Sequence, residues 1–435
     1  MNKVLSIIAI LVFAVYFFGF VFTIITIYLE KKYKKQISEY KISKYRDIYV
    51  LLPAMKEQKI VKSTIDWFHK IKYKGNIKFI VVTTEKEELE YKTNNIKDKT
   101  TNIVVEEYLK KLNDKRFIHY HYPKTNGNKS SQMNYAVDKI KKEFKIIDNE
   151  TYISVFDFDS QPELNTFDVL NQVAEFKNNP NAINQVPMCF KNYEEFSRKK
   201  GKTMLLLYTL HHTIRSCAIE KMKLLVCSLT KMKVPQYCMG ACMHIKLSTL
   251  LENDMFPIFV DDLTLGYRMS IKGCRFAYLP TYNYSLIPNR LYDYMNSAVL
   301  IFKGISTYLT EIRKAKGRNL YGRIKMFIAG TGNIIVFTII PWFIIGYYMY
   351  SIISKNFNIG FWLLLSIPYL WCIASYINLH YYGFKKDNKF RSILAMIISP
   401  VWFFFRPFGF LIYIKRLIVS KIMRKEIKYK KTERW

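Results

Sequence analysis

Twenty-six consecutive residues, Val4 to Leu29, carry no charge. A helix needs about 20 apolar residues to cross a bilayer core. The competing reading is a signal peptide, whose apolar region covers only about 7–15 residues before a small-residue cleavage site. This run is too long for that, and Glu30-Lys-Lys-Tyr-Lys-Lys35 comes directly after it. The segment is therefore read as an uncleaved anchor over residues 1–30. Lys31, Lys32, Lys34 and Lys35 against a lone Lys3 place the next domain in the cytosol. Composition agrees with membrane segments joined to a water-exposed domain: 50% of the residues are hydrophobic, yet 23% are charged.

Three further apolar stretches lie near the C-terminus. Phe327–Ile353 and Ile359–Phe384 are each long enough to span, and Ser354 to Asn358 turns between them. A basic return comes next, at Lys385, Lys386, Lys389 and Arg391. The third stretch, Ile393–Val419, is interrupted by Arg406-Pro407. Its tail, residues 421–435, carries seven basic residues against two acidic. A full crossing would put that tail outside, so a re-entrant or interfacial element is expected, with a full crossing as the alternative. The expected layout is an anchor (1–30), a cytosolic domain (45–285), interface helices (286–323), a transmembrane or re-entrant region (324–420) and a basic cytosolic tail (421–435). This describes a multi-pass protein of the cell membrane.

The net charge of +33 is compatible with nucleic acid, anionic lipid or a phosphorylated substrate. Much of the basic charge flanks apolar runs, and neither zinc-finger spacing nor an RNP-like aromatic motif occurs, so the membrane is the expected partner and nucleic acid is not. The seven cysteines include no Cys-x-x-Cys pair and read as reduced, mostly buried thiols.

Between Tyr45 and Tyr282 strand-like and helix-like patterns alternate. Ile48–Leu52, Lys78–Val82, Ile118–Tyr122 and Tyr152–Phe156 read as strands; Val61–Ile71 and Ser131–Phe144 read as helices. That alternation predicts an α/β fold with a mostly parallel sheet flanked by helices. Ligands of such sheets bind beyond the carboxyl ends of the strands. Four polar constellations stand there.

Pro53-Ala54 to Glu57 forms a loop after the first strand. Asn126-Gly-Asn-Lys-Ser-Ser-Gln-Met-Asn134 enters a helix, where free N–H groups and the Lys129 ammonium would favour phosphate; an ordinary capped helix start explains it equally. Asp157-Phe-Asp159 ends a buried strand. Continued extended geometry would put both carboxylates on one side, where a hard cation such as Mg²⁺ or Mn²⁺ would offset their repulsion; a solvated acidic turn is the plain alternative. Asp261-Asp262 opens an apolar-periodic segment, so one acid can cap a helix or act as a general base.

In this order the four motifs resemble glycosyltransferase family 2, whose members are inverting transferases of GT-A fold. Pro53-Ala54 with Glu57 is similar to that family's first-strand loop. Lys129 to Asn134 is similar to its Gly-Lys-x-x-x-Leu-Asn segment, with Asn128 for Gly and Met133 for Leu. Asp157-Phe-Asp159 matches its Asp-x-Asp, and Val260-Asp-Asp262 its Thr-Glu-Asp with only the final Asp identical and Asp261 in place of Glu; Gly240-Ala241 and Gly266 to Pro280 fit the surroundings. The resemblance covers about residues 45–285. It implies a metal-dependent enzyme that binds a nucleotide-sugar, expected to be a UDP-sugar, at Pro53, Ala54, Glu57, Lys129 and Asp157. Where the family often has a base-binding Asp after its second strand, this chain has Val82-Thr-Thr-Glu85, so Glu85 or Thr84 would substitute. The cation, Mg²⁺ or Mn²⁺, would sit on Asp159 and Asp157, and Asp262 would be the catalytic base. The acceptor would be lipid-linked or saccharide, in capsule, cell-wall or exopolysaccharide synthesis. Processive synthases of this layout carry Gln-x-x-Arg-Trp before the membrane hairpin. No Gln occurs after Gln236, and Ser297 to Gly304 occupies that place, so single transfer is expected over polymer synthesis. A non-catalytic membrane scaffold of the same fold is the remaining alternative.

Overall fold

The computed structural model describes residues 2–188, 193–199, 201–230, 233–258, 260–286, 290–315, 317, 319–381 and 389–423. The chain divides into two compact units, Met1–Leu29 with Met188–Met222 and Leu286–Trp435, and Glu30–Pro187 with Lys223–Ser285. Two of the divisions fall inside helices α1 (Asn2–Ser38) and α9 (Lys221–Leu229), one just before Met188 at the end of a strand, and one after Ser285.

The second unit is built on an eight-stranded sheet. Its strands are β1 (Asp47–Pro53), β2 (Ile77–Thr84), β3 (Phe117–Tyr122), β4 (Thr151–Phe156), β5 (Gln161–Pro162), β6 (Ala182–Met188), β7 (Cys242–Lys246) and β8 (Phe276–Tyr284). They lie in the order β3-β2-β1-β4-β7-β6-β8-β5. Strands β3, β2, β1 and β4 pair in parallel, whereas β7 runs antiparallel to β4 and β6, and β5 to β8. The expected α/β fold with a mostly parallel sheet is what forms. Helices α2 (Val61–His69), α3 (Glu85–Thr93), α4 (Thr101–Leu112), α5 (Lys129–Glu143), α6 (Thr166–Phe176), α10 (Leu247–Glu252) and α11 (Asp261–Lys272) complete the unit.

Strands β1, β2 and β4 read as largely apolar runs because both of their faces are covered, whereas β3, at the sheet edge, carries His119 and His121 and is half-buried. On one face Tyr49, Leu51, Ile80, Val82, Ile153 and Val155 meet Met133, Ala136, Val137 and Ile140 of α5, which recur at helical spacing. On the other, the Phe68 ring lies 5.6 Å from Phe79 and 5.7 Å from Phe156, and Phe167 packs at 6.1 Å from Phe156. Each such side chain, fully buried, contributes about 1.5–3 kcal/mol. The C-terminal end of α1 is fixed here too. Glu30, fully buried, accepts hydrogen bonds from the Tyr278 hydroxyl at 2.8 Å and from that of Tyr282, while the Tyr33 hydroxyl donates to the Tyr278 carbonyl at 3.2 Å.

The other unit gathers α7 (Tyr193–Arg198), α8 (Thr203–Ile214), α12 (Leu291–Lys314), α13 (Leu320–Ile334), α14 (Ile340–Ile353), α15 (Ile359–Tyr381), α16 (Lys389–Ile397) and α17 (Val401–Met423) with the first 29 residues. Ala9, Val12 and Tyr16 pack with Ile344, Tyr347, Leu364 and Trp371; the Tyr16 and Trp371 rings are 5.1 Å apart. The Ser375 hydroxyl donates to the Leu210 carbonyl, which ties α8, inserted between β6 and β7 in the sequence, to α15.

Among the described residues two helices are long and apolar enough to cross a membrane, Lys3–Ser38 and Ile359–Tyr381; Ile340–Ile353 is shorter. The expected stretch from Phe327 to Ile353 lies within a helical path, α13 and α14 joined by a π-helical segment at Ile335–Ile339. The last stretch departs from expectation. Its helix does not break at Arg406-Pro407, where α17 is continuous; it breaks at residues 398–400, where Pro400 stands just before α17. Proline lacks the N–H that a helix interior needs and is tolerated at a helix start. The expected basic return at Lys385 and Lys386 and most of the tail, residues 424–435, lie outside the described residues.

A Cβ on Gly266 of α11 would stand 2.2 Å from Tyr237 Cα and 2.4 Å from the Cys238 nitrogen, so α11 can approach that loop only through glycine. Gly266→Ala is expected to destabilise by about 1–3 kcal/mol. Gly332→Ala, with nothing within 4 Å of the added carbon, is expected to be neutral or slightly stabilising. Melting temperatures of the two purified full-length variants check this.

Candidate active site

Strand β1 ends at Pro53, and the Ala54 N–H donates to the Val82 carbonyl at 2.9 Å, prolonging the β1–β2 pairing into the loop. Gln132, on the first turn of α5, donates to the carbonyls of Ala54 (3.2 Å) and Val82 (2.9 Å). Its neighbours in the same segment have different tasks. Met133 is core, and Asn134 exchanges two hydrogen bonds with the Phe256 backbone. Asn128 caps α5, its side-chain oxygen accepting from the Ser131 N–H at 3.0 Å. The block Lys129 to Asn134, singled out by the resemblance, is one helix start that also fixes the first-strand loop.

At the end of β4 the chain does not stay extended, contrary to the expectation for Asp157 and Asp159. Residues 157–160 form a turn closed by the Ser160 N–H on the Asp157 carbonyl at 2.9 Å. The turn is anchored from three sides. The Thr64 hydroxyl donates to the Phe158 carbonyl (2.7 Å), Ser160 Oγ donates to the Ala241 carbonyl (3.3 Å), and Asn283 donates to both Ser160 Oγ and the Ala241 carbonyl at 3.0 Å. Asp157 is half-buried and Asp159 buried.

Lys129 Nζ bonds Asp157 Oδ1 at 2.7 Å and the Gly240 carbonyl at 3.1 Å. The N–H of Gly240 donates in turn to Asp262 Oδ2 at 3.1 Å, while the Leu263 N–H donates to Asp262 Oδ1 at 2.7 Å. One glycine thus joins Lys129 and Asp157 to Asp262. A Cβ at Gly240 would lie 2.5 Å from Asp262 Oδ2, so a larger residue would push the carboxylate out of place. The residue at the N-cap of α11 is Val260, in left-handed conformation and with no side-chain cap; Asp261 and Asp262 occupy the first turn. Capping accounts for the Leu263 bond of Asp262 and not for its bond to Gly240.

Charge is concentrated here. Burial, then the neighbouring Asp261 charge, raises the Asp262 carboxyl to about 7, against the pull of its two N–H donors and Lys129. Asp261 is raised by burial too, and its Oδ2 has no hydrogen-bond partner among the described residues. For Lys129 burial works against the charge, but Asp157, Asp261 and Asp262 outweigh it and hold the ammonium well above its usual range.

Glu57 and Glu85 belong to a second cluster. The Glu57 N–H donates to Thr101 Oγ1 at 2.9 Å and its side chain is buried. Glu85, at the start of α3, pairs with His121 Nε2 at 3.0 Å; His121 Nδ1 lies 2.9 Å from Thr83 Oγ1, which also meets His119 Nε2 at 2.8 Å and Asn102 Oδ1 at 3.0 Å. Burial, helped by His121, lowers His119 to about 4, so it stays neutral. Neither histidine belongs to a motif, and sequence reasoning passes over both, although His-Tyr-His on a strand does place the two rings on one face. His244, a further histidine outside the motifs, is buried on β7 beside Ser154 Oγ at 2.8 Å, and burial lowers it to about 3.

Among the described residues no group of three or more His, Cys, Asp or Glu side chains could hold a metal ion by itself. Asp157 and Asp159 supply hard carboxylate oxygens of the kind Mg²⁺ and Mn²⁺ prefer, so they fit a cation that completes its shell with water and phosphate oxygens.

Residues 46–322 match the family described as "Glycosyltransferase like family 2". Among solved structures, the mannosyltransferase PcManGT from Pyrobaculum calidifontis, in complex with GDP-Man and Mn²⁺, aligns at 12% identity over 97% of this chain and 100% of its own, with a TM-score of 0.47. The apo structure of the bifunctional glycosyltransferase WbbM aligns at 9% identity over 66% and 52%, with a TM-score of 0.24. A comparison with curated proteins finds no match. The family match extends over more than half of the sequence and takes in both carboxylate motifs and the loops around them, and the chain belongs to glycosyltransferase family 2.

Proposed function

We propose that this glycosyltransferase is a membrane-bound inverting enzyme that moves a sugar from a nucleotide-sugar, a UDP-sugar in the first instance, to a lipid-linked or saccharide acceptor in capsule, cell-wall or exopolysaccharide synthesis. The observation that carries the reading is the hydrogen-bonded series Asp157–Lys129–Gly240–Asp262, which sets a cation-compatible carboxylate and a raised carboxyl on the two sides of one glycine. The uncharged run of α1 and the apolar helix α15 support a multi-pass membrane protein, and the lysines after α1's run support a cytosolic site.

The nucleoside would lie against the loop Pro53, Ala54 and Glu57, beside Glu85. A divalent cation, Mg²⁺ or Mn²⁺, held by Asp159 and Asp157 would neutralise charge on the leaving diphosphate. Lys129 would turn its ammonium from Asp157 towards a phosphate oxygen. Asp262 would take the proton of the acceptor hydroxyl as that oxygen attacks the anomeric carbon from the face opposite the diphosphate, so the configuration inverts. A carboxyl near 7 matches this task, because about half of it is ionised at neutral pH and it is basic enough to hold the proton it removes.

Asp262→Asn is expected to lower kcat by about 10²–10⁴-fold with nucleotide-sugar binding within a few-fold of wild type. Radiolabelled sugar transfer and donor titration on the same membranes measure both, and retained turnover overturns the role. Asp262 must be ionised to act, so kcat/KM is expected to rise with pH and level off above about 7. A profile flat through that range removes Asp262 as the base. Chelation by EDTA is expected to abolish transfer and Mg²⁺ or Mn²⁺ to restore it; full activity after chelation rules out the cation on Asp157 and Asp159. Sizing the product distinguishes single transfer from a polymer.

A further inference from the structure

Resting on the donor-site reading above, we infer that Glu87 is a positioning residue, which locks the first-strand loop into the conformation that receives the nucleoside. Glu87 lies on α3, 1% exposed, in a run of acids whose other members are half-buried. Its Oε2 accepts from the Lys56 N–H at 2.7 Å. Its Oε1 accepts from Gln58 Nε2 at 2.6 Å, and from the Thr101 N–H and hydroxyl at 2.8 and 2.9 Å. A buried carboxylate is costly unless its oxygens are satisfied, and four donors from two loops satisfy this one.

The bond to Lys56 holds an unfavourable backbone. Lys56 has φ +57°, a region that residues with a side chain rarely adopt and that persists only when the surroundings enforce it. Both ends of Lys56 are enforced by α3: its N–H by Glu87 and its ammonium by Glu90 at 2.5 Å. Gln58 is held twice as well, by Glu87 and by the Tyr91 hydroxyl at 2.7 Å. Between them the Glu57 N–H is taken by Thr101 Oγ1, which itself bonds Glu87. Residues 56–58 are therefore clamped through one carboxylate, and they come shortly after Pro53 and Ala54. A loop fixed before the ligand arrives spares the ordering cost at binding, so the clamp acts on donor affinity and leaves the transfer step alone.

Glu87→Gln keeps the shape but sets an amide N–H₂ against at least one of the donors. Glu88→Gln is the control. Glu88 accepts from Thr100 Oγ1 at 2.5 Å and so ties α3 to the start of α4 rather than to residues 56–58. Full-length protein in detergent is titrated with UDP and with GDP in the presence of Mg²⁺, and kcat and donor KM are measured on the same samples. The expected result for Glu87→Gln is about ten-fold weaker nucleotide binding and a matching rise in donor KM, with kcat within about two-fold, while Glu88→Gln stays at wild-type values. Gln58→Ala, at a half-buried position, should shift donor KM in the same direction and carries the test if Glu87→Gln does not fold. Equal shifts in the Glu87 and Glu88 variants, a loss of kcat at unchanged donor KM, or unchanged binding in both clamp variants overturns the clamp alone. Failure of the wild type to bind either nucleotide sinks the donor-site reading and the clamp with it.

Discussion

The site depends on one ammonium among carboxylates. Lys129 stands at the N-terminal end of α5, where the helix dipole disfavours a cation, and it is half-buried besides. It stays charged because Asp157, Asp261 and Asp262 surround it. At an effective dielectric near 20, unit charges about 4 Å apart interact by roughly 4 kcal/mol, which is the scale of the attraction that removing the ammonium would take from these acids. The start of α11 eases part of this, since acids in a first helical turn gain about 0.3–1 kcal/mol each. The two helix starts and the end of β4 are thus held together by charge as much as by packing.

Gly240 makes that electrostatic cluster geometrically specific. Its carbonyl faces Lys129 and its N–H faces Asp262, and its lack of a Cβ lets the carboxylate come within bonding distance. Gly266 does the same one level down, admitting the backbone of Tyr237 and Cys238 against α11; the Cys238 N–H then bonds the Asp262 carbonyl at 3.2 Å. Both glycines press the same loop and the same helix into contact.

The parallel half of the sheet is legible in the sequence because burial on both faces makes β1, β2 and β4 largely apolar runs, and the edge strand β3 keeps strand-forming aromatic and β-branched residues around its histidines. Ile48–Leu52, Lys78–Val82, Ile118–Tyr122 and Tyr152–Phe156 all fall within observed strands, with ends that differ by a residue or two. The antiparallel strands are not legible in this way. Strand β7, Cys242–Lys246, carries His244 and Lys246 in a five-residue segment, and β5 has only two residues, so neither shows a period. Asp157 and Asp159 stand out as a pair, but their geometry does not, because the turn at residues 157–160 is set by Thr64, Ala241 and Asn283, distant in sequence. The break at Pro400 is obscured because Arg406-Pro407, a charge and a proline together in apolar sequence, reads as the stronger helix-end signal.

Glu87 shows the limit most clearly. Glu85, Glu87, Glu88 and Glu90 form an acidic run, and nothing in their order separates the buried member from the others. Pairing decides it. Glu85 finds His121, Glu90 finds Lys56, Glu88 finds Thr100, and Glu87 finds donors from both neighbouring loops. A carboxylate can be buried where protein donors replace the hydrogen bonds it loses from water, and which carboxylate that is depends on the segments that α3 meets after folding. Sequence motifs therefore locate the groups that would touch a ligand sooner than the groups that hold those in place.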